Sequence, residues 1–550
     1  MAASQPHTAA LKVPRGRTRD GDIDYLALSF ADLAAEVAIW RDDLTARGVK
    51  RGDRVLVMVK PGLPLIAAAF ALFGLGAVPV VIDPGMGLKS FLSCVERSRP
   101  RVLLGIPLAQ VVGRIFRKPF RTVELRIWVS SSSIARRSSV SQPSTLNSQP
   151  AAPTAASDLA AVLFTSGSTG APKGVCYTHG MFDAQVELIR AAYDIRPGEI
   201  DLPMLPVFAL FNPALGMTTI VPEIDPSRPA LVDPAKILQA IRQEKVTTSF
   251  GSPTLWRKIA VHCHAHQAVL PTMKRVLCAG APVPPDLWEL MAPVLPNGTL
   301  HSPYGATEAL PVSSIGAPEV IAGTAIATGH GAGTCVGRVL SANEVKIIAI
   351  TDGPIATLAD VRGLPSGKIG EIIVRGPTVT REYDALPEAT AAAKISQLNS
   401  QLGGEAAIWH RMGDLGYFDE QGRLWFCGRK AERVETRDGP LYTEQVEPLF
   451  TPHAEVRRAA LIGLGERGRQ RAALVIEPVS ADSIFSSSDC RRLARELRTI
   501  ALRHPHTAGI KLFYFRKKFP VDVRHNAKIH RLALTRWAAT DIGYESDPKR

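Results

Sequence analysis

The chain predicts an α/β fold: a large, multi-lobed N-terminal domain with parallel-type sheets and helices, followed by a small C-terminal α/β domain. Three patterns carry this expectation. Helical and strand patterns alternate between residues 26 and 82, which a parallel sheet covered by helices satisfies. Short apolar runs such as VPVVI (78–82) lack polar alternation, as strands buried on both faces do. Beyond Arg429 the patterns shorten to strands near 458–463 and 471–477, a basic helix at 489–503 and a polar tail.

Within the first lobe, Leu33, Val37, Trp40 and Leu44 recur at helical spacing between Leu26 and Arg47, and GVKRGDRVLVMV then reads as a turn and a buried strand. A helix at 64–73 and a strand at 78–82 repeat the unit. Residues 1–22 are polar and Arg-rich and read as frayed. The segment 130–157 is rich in Ser, Arg, Pro and Ala, a composition that buries too little apolar surface to order itself; it reads as a disordered exposed loop, or as a docking arm for a partner or an acidic surface.

Composition narrows the functional classes. With 46% hydrophobic and 21% charged residues, the 550-residue chain has the profile of an ordinary globular protein of several domains, neither disordered throughout nor polytopic in a membrane. Its net charge of +14 suits anionic substrates as well as polyanions, and is a weak signal for nucleic acid when spread over so large a surface. Seven scattered cysteines without a CxxC pair argue against a disulfide framework and for a reducing compartment. No charged n-region followed by an apolar h-region occurs between Met1 and Asp20, so a cytoplasmic protein is expected. The stretch Pro61–Ile82 carries no charge and is long enough to span a bilayer, but its Gly and Pro residues favour a core helix and strand.

The most informative stretch is LFTSGSTGAPKGV, 163–175. An apolar strand pattern opens into the hydroxyls of Thr165, Ser166, Ser168 and Thr169, while Gly167 and Gly170 let backbone N–H groups approach an anion and Lys173 adds a mobile charge. This differs from the P-loop pattern, since no Gly precedes the lysine and no Ser or Thr follows it. On composition alone it is a phosphate loop or a flexible turn. The run VHCHAH (261–266) places His262 and His266 on one helical face, a spacing open to a transition metal; without a carboxylate or second cluster, an exposed helix end is the simpler reading.

The stretch TSGSTGAPKGV resembles the signature loop of the ATP-dependent adenylate-forming superfamily, which includes acyl-CoA synthetases, peptide-synthetase adenylation domains and luciferases. Later motifs resemble those of the superfamily in order: CAGAP (278–282), HSPYGATE (301–308), more loosely GEIIVRGPTVTREY (370–383), where Glu382 stands in place of a glycine, then MGDLGYFDEQGRLWFCGR (412–429) and FPVDVRHNAKIHR (519–531). The resemblance implies ATP and Mg²⁺ as co-reactants and an N-terminal adenylate-forming domain, 1–428, under a mobile lid domain, 429–550. It implies that Thr165, Ser166, Gly167, Ser168, Thr169, Gly170 and Lys173 hold phosphates, that Gly280, Ala281 and Pro282 abut adenine, and that Tyr304 stacks on it. It implies further that Gly305 and Ala306 belong to the ATP site, that Thr307 contacts the α-phosphate, that Glu308 with Thr165 holds the metal, that Asp414 binds the ribose with Arg429 in support, and that Lys528 is the catalytic lysine.

Three departures bear on the second half-reaction. The resembled pattern has a histidine after the pocket aromatic; here Phe208 is followed by Ala209, which with Phe211 leaves an apolar pocket wall. Ala431 stands at the hinge, and Asp438 stands where CoA-using members carry a glycine, so a carboxylate would narrow the path of the pantetheine arm. The pattern as a whole resembles the olefin β-lactone synthetase group. That resemblance implies a 2-alkyl-3-hydroxyalkanoic acid converted to a cis or trans β-lactone without CoA, with AMP and pyrophosphate released, and an association with a thiolase-like enzyme, a reductase and a hydrolase. A long-chain acyl-CoA or acyl-AMP ligase, and a non-enzymatic polyanion-binding protein, are the alternatives.

Overall fold

The computed structural model describes residues 1–129, 153–165, 171–225, 231–397, 407–480, 486–521 and 529–546. Two sheets build the large N-terminal part. The six-stranded sheet runs, in spatial order, Leu125–Trp128, Val102–Gly105, Arg54–Met58, Val78–Ile82, Leu159–Thr165 and Lys173–Thr178. All neighbours are parallel except the last pair. The apolar runs read as buried strands are buried because helices cover them: Leu56, Val80, Leu103 and Val162 have no exposed surface.

The second sheet has 14 strands. Its parallel section, Thr218–Ile220, Ile200–Asp201, Thr248–Gly251, Arg275–Cys278 and Thr299–Ala306, continues into antiparallel strands that include the hairpin of Ala407–Phe418 with Leu424–Arg429 and end at Glu344–Ile348. Both parallel sections present the carboxyl ends of their strands to one cleft, where open α/β sheets bind ligands.

Pro61–Ile82 folds as helix Leu63–Leu75 and strand Val78–Ile82, with Ala67, Ala68, Ala71 and Leu72 fully buried. It is core, and no described helix is long and apolar enough to cross a membrane.

Two expectations change. The N-terminus is not frayed: Ala9–Arg17 pairs antiparallel with Ile23–Ser29 and parallel with Thr218–Ile220, because Ala10 and Leu11 have a core to enter. Leu26 accordingly lies in a strand, and the helix begins at Phe30, where Ser29 and Asp32 cap each other's backbone N–H.

The C-terminal α/β unit has a four-stranded sheet, Val456–Leu464, Arg471–Pro478, Leu512–Phe515 and Tyr544–Glu545. Helix Ser487–Leu502 packs on it through Leu493, Ala494, Leu497 and Ala501. Apart from 153–157, the Ser/Arg-rich segment lies outside the described residues, as do Ser166–Gly170 and Lys528.

Candidate active site

The hairpin Ala407–Phe418/Leu424–Arg429 sets one half of the site. Asp419 closes its turn, accepting from the backbone N–H of Gln421 and Arg423, and that register places Asp414 opposite Arg429. The Arg429 guanidinium lies 2.8 Å from Asp414 Oδ1, and the Tyr304 hydroxyl donates to Asp414 Oδ2 at 2.6 Å. Asp414 is 3% exposed. Burial first, then the adjacent Asp414 carboxylate, holds the Tyr304 phenol well above its usual range, while Asp414 keeps the Arg429 guanidinium charged.

The other half is the hairpin of Thr299–Ala306 and Ala309–Gly316, whose turn is Thr307–Glu308. A Cβ on Gly305 would lie 2.6 Å from the Ala309 carbonyl oxygen, so only glycine permits this tight approach. The Thr307 carbonyl accepts from Tyr177, and the Glu308 carboxylate accepts from the Tyr383 hydroxyl at 2.7 Å. Segment 382–384 is itself fixed to strand Lys173–Thr178, with Asp384 N–H donating to the Gly174 carbonyl at 2.7 Å and Arg54 gripping the Asp384 carboxylate with both Nη atoms.

One cleft of about 2810 Å³ joins Lys173, Gly280, Ala281, Pro282, Tyr304, Gly305, Ala306, Thr307, Glu308, Asp414, Arg429 and Ala431. Its apolar arm is lined by Phe70, Leu210, Val221 and Ile224 with Phe208 and Phe211; Phe208 stacks on Phe250 with centroids 3.7 Å apart. Ala209 departs from expectation. It is 6% exposed and packs into the N-terminal core rather than lining the cleft, because the 3₁₀ turn Pro206–Leu210 points it inward. Asp438 departs too: it is an exposed residue between the paired strands Val434–Thr436 and Gly439–Leu441, outside the cleft lining, and so narrows no path into it here. Thr165 ends its strand, paired with Lys173.

Two residues went unnoticed in the sequence. Lys394, at the start of strand Lys394–Gln397, is 7% exposed and donates to the carbonyl and hydroxyl of Thr380. Burial and the nearby Lys173 pull its ammonium down to about 7, against the pull of Glu308. Lys173 Nζ and Lys394 Nζ lie 4.6 and 5.9 Å from the Tyr383 ring centroid. His410, fully buried behind them, is held well below its usual range by burial and Lys394. A lysine in EATAAAKIS has no sequence signal separating it from a surface lysine.

His262 and His266 end a helix with rings 4.1 Å apart, and no group of three or more metal-ligating His, Cys, Asp or Glu side chains occurs among the described residues. The donor set suits a magnesium nucleotide nonetheless. Glu308 presents a hard carboxylate oxygen at the cleft wall, of the kind a divalent ion takes, and Asp414 a buried carboxylate of the kind that accepts from hydroxyls.

The profile of the AMP-binding enzyme family matches residues 2–384. The chain belongs to that family. It is an AMP-forming, ligase-type enzyme of the adenylate-forming group. Among relatives of this AMP-binding enzyme, the olefin beta-lactone synthetase of Xanthomonas campestris pv. campestris is 45% identical over 548 residues, covering 98% of this chain and 96% of that protein. The protein of the same name from Stenotrophomonas maltophilia is 43% identical over 550 residues, covering 98% and 97%. Among solved structures, the amide bond synthetase of Marinactinospora thermotolerans superposes with a TM-score of 0.75 at 23% identity, covering 97% of each chain. The Bacillus subtilis o-succinylbenzoate CoA synthetase bound to its acyl-adenylate does so at 0.74 and 19% identity, covering 99% and 98%. At such identities the likeness is one of fold.

Proposed function

We propose that this enzyme converts a 2-alkyl-3-hydroxyalkanoic acid to a β-lactone through an acyl-adenylate, using ATP and releasing AMP and pyrophosphate. The observation that carries the reading is the 45% identity, end to end, to an olefin beta-lactone synthetase. The arrangement of the cleft supports it, with a nucleotide half around Asp414 and an apolar arm around Phe208 and Phe211.

Asp414 accepts from the ribose hydroxyls with Arg429 holding its carboxylate in place, Tyr304 and Gly280–Pro282 flank the base, and Lys173 takes the departing phosphates. Glu308, oriented by the Tyr383 hydroxyl, would hold the magnesium ion together with Thr165. A divalent ion bound there neutralises phosphate charge. The substrate carboxylate attacks the α-phosphorus and the bond to pyrophosphate breaks. Lys528, on the lid 429–550 that turns about Ala431, stabilises the charge that grows on the α-phosphate oxygens. The β-hydroxyl oxygen then attacks the acyl carbon, its proton passes to solvent, and the acyl–oxygen bond to AMP breaks. Holding the hydroxyl beside the acyl carbon offsets much of the entropy of closing a four-membered ring, and the apolar arm keeps water from competing.

CoA takes no part in this scheme, and pathway enzymes that make the hydroxy acid and consume the lactone are the expected partners in the cytoplasm. The exposed position of Asp438 removes one objection to a second reading, a long-chain acyl-CoA ligase. Product analysis with ATP, Mg²⁺ and a racemic hydroxy acid, with and without CoA, separates the two: β-lactone and AMP without CoA support the proposal, and a thioester formed only with CoA overturns it. Heavy oxygen placed in the carboxylate must appear in AMP; its absence would make the hydroxyl the activated group.

A further inference from the structure

Helix Pro107–Ile115 buries Ala109, Gln110 and Gly113 against the six-stranded sheet, where Gln110 donates to the Ile127 carbonyl at 2.9 Å. Its opposite face is apolar. Leu108, Val111 and Ile115 recur at i, i+3 and i+7, and are 67%, 45% and 66% exposed. Beside them, Trp128 is 48% exposed on the edge strand of that sheet, with the Arg114 guanidinium 5.4 Å from its ring centroid. Exposed Arg117, Lys118 and Arg121 follow the helix directly. Glu124, the one acidic residue between Pro107 and Val129, is engaged by Arg101.

We propose that this face docks the enzyme on an anionic lipid surface, with Leu108, Val111, Ile115 and Trp128 entering the acyl boundary and the surrounding arginines and lysine meeting headgroup phosphates. An apolar helix face flanked by basic side chains and a tryptophan at its border is the chemistry of an interfacial helix. The patch is small for a protein partner, since a stable interface covers some tens of residues a side, and a cationic rim with a single engaged carboxylate repels a second copy of itself. Its position adds a reason. Ile106, the residue before the helix, lines the cleft together with Val57, Val59 and Phe70, so the patch begins at the cleft's apolar rim and a water-insoluble acid has a short path from the bilayer to the site.

The test is co-sedimentation of the full chain with vesicles of phosphatidylcholine alone or mixed with phosphatidylglycerol. The wild-type protein is expected to pellet with the anionic vesicles and to be released by salt. Two variants, Leu108→Ser/Ile115→Ser and Arg117→Glu/Lys118→Glu/Arg121→Glu, are each expected to lower the partition coefficient roughly tenfold or more, with ATP–pyrophosphate exchange in detergent-solubilised substrate unchanged. Both variants alter exposed side chains, and retained exchange shows that they fold. No binding to anionic vesicles, equal binding to neutral ones, or wild-type binding by both variants would overturn the proposal. So would a wild-type dimer in gel filtration that the first variant dissolves, which would assign the face to a second copy.

Discussion

Replacing Lys394 by methionine should stabilise the enzyme at neutral pH and lose that advantage as the pH rises. The side chain is 7% exposed, and its ammonium falls from 10.5 to about 7, chiefly through burial. At about 1.4 kcal/mol for each tenfold change, that depression sets an upper bound of about 5 kcal/mol on the cost of burying the charged form. The sign follows from proton linkage. Below about pH 7 the folded and unfolded chains both carry the proton and the cost is present in full; between 7 and 10.5 the unfolded chain binds more protons, so wild-type stability climbs with pH. Methionine, of similar length and without charge, has no such term, but it leaves the Thr380 carbonyl without its donor, a loss of about 1–3 kcal/mol. The variant should therefore be more stable than wild type by about 1–3 kcal/mol at pH 7, and no more stable or less stable by up to about 2 kcal/mol at pH 10. Urea unfolding at pH 7, 8.5 and 10 measures the difference, in which groups common to both proteins largely cancel. Parallel curves would show that Lys394 titrates alike in the folded and unfolded chains, and the reasoning would fail.

Tyr383→Phe removes the 2.7 Å hydrogen bond that orients Glu308; the magnesium concentration for half-maximal pyrophosphate exchange should rise roughly tenfold or more, as when an outer-shell partner is lost, with little change in stability. Asp414→Asn keeps the shape but leaves the half-buried Arg429 guanidinium without its counter-charge; exchange should fall by about two orders of magnitude and the urea midpoint should drop, since breaking such a pair costs about 3–5 kcal/mol. Lys528→Ala should abolish adenylate formation with an unchanged circular dichroism spectrum, and undiminished pyrophosphate release would remove that residue from the mechanism.

The parts legible in the sequence are those whose residue types have few other uses. Glycines beside hydroxyls and a lysine, a tyrosine and glutamate framing a small turn, and an aspartate inside a hairpin stand out through their order and their resemblance to the adenylate-forming pattern, and Tyr304, Glu308, Asp414 and Arg429 line one cleft. The strand Ala9–Arg17 was missed because its charged second half hides the Ala10–Leu11 pair that enters the core. Ala209 was misplaced for a different reason: in a uniformly apolar run, periodicity cannot say which side chain faces a cavity and which faces the core, and only the 3₁₀ turn decides. Lys394 was invisible because a lysine's default is solvent, and its burial depends on Thr380 and Tyr383, which precede it by more than ten residues and meet it only across the fold.

That dependence explains why the enzyme can hold Lys173, Lys394 and Glu308 around one tyrosine ring. Segment 382–384 has little freedom: Arg54 grips Asp384 from the six-stranded sheet, and its backbone pairs with Gly174 and Cys176. Thr380, two residues before it, donates through its N–H to the Glu308 carbonyl and accepts from the Lys394 ammonium. Lys394 is thus joined to the Thr307–Glu308 turn through Thr380. A buried cation in that place opposes the gathering of a third positive charge but favours carboxylate and phosphate oxygens beside it. A cost in stability at neutral pH at such a place is the trade-off expected where function and folding compete for the same residue.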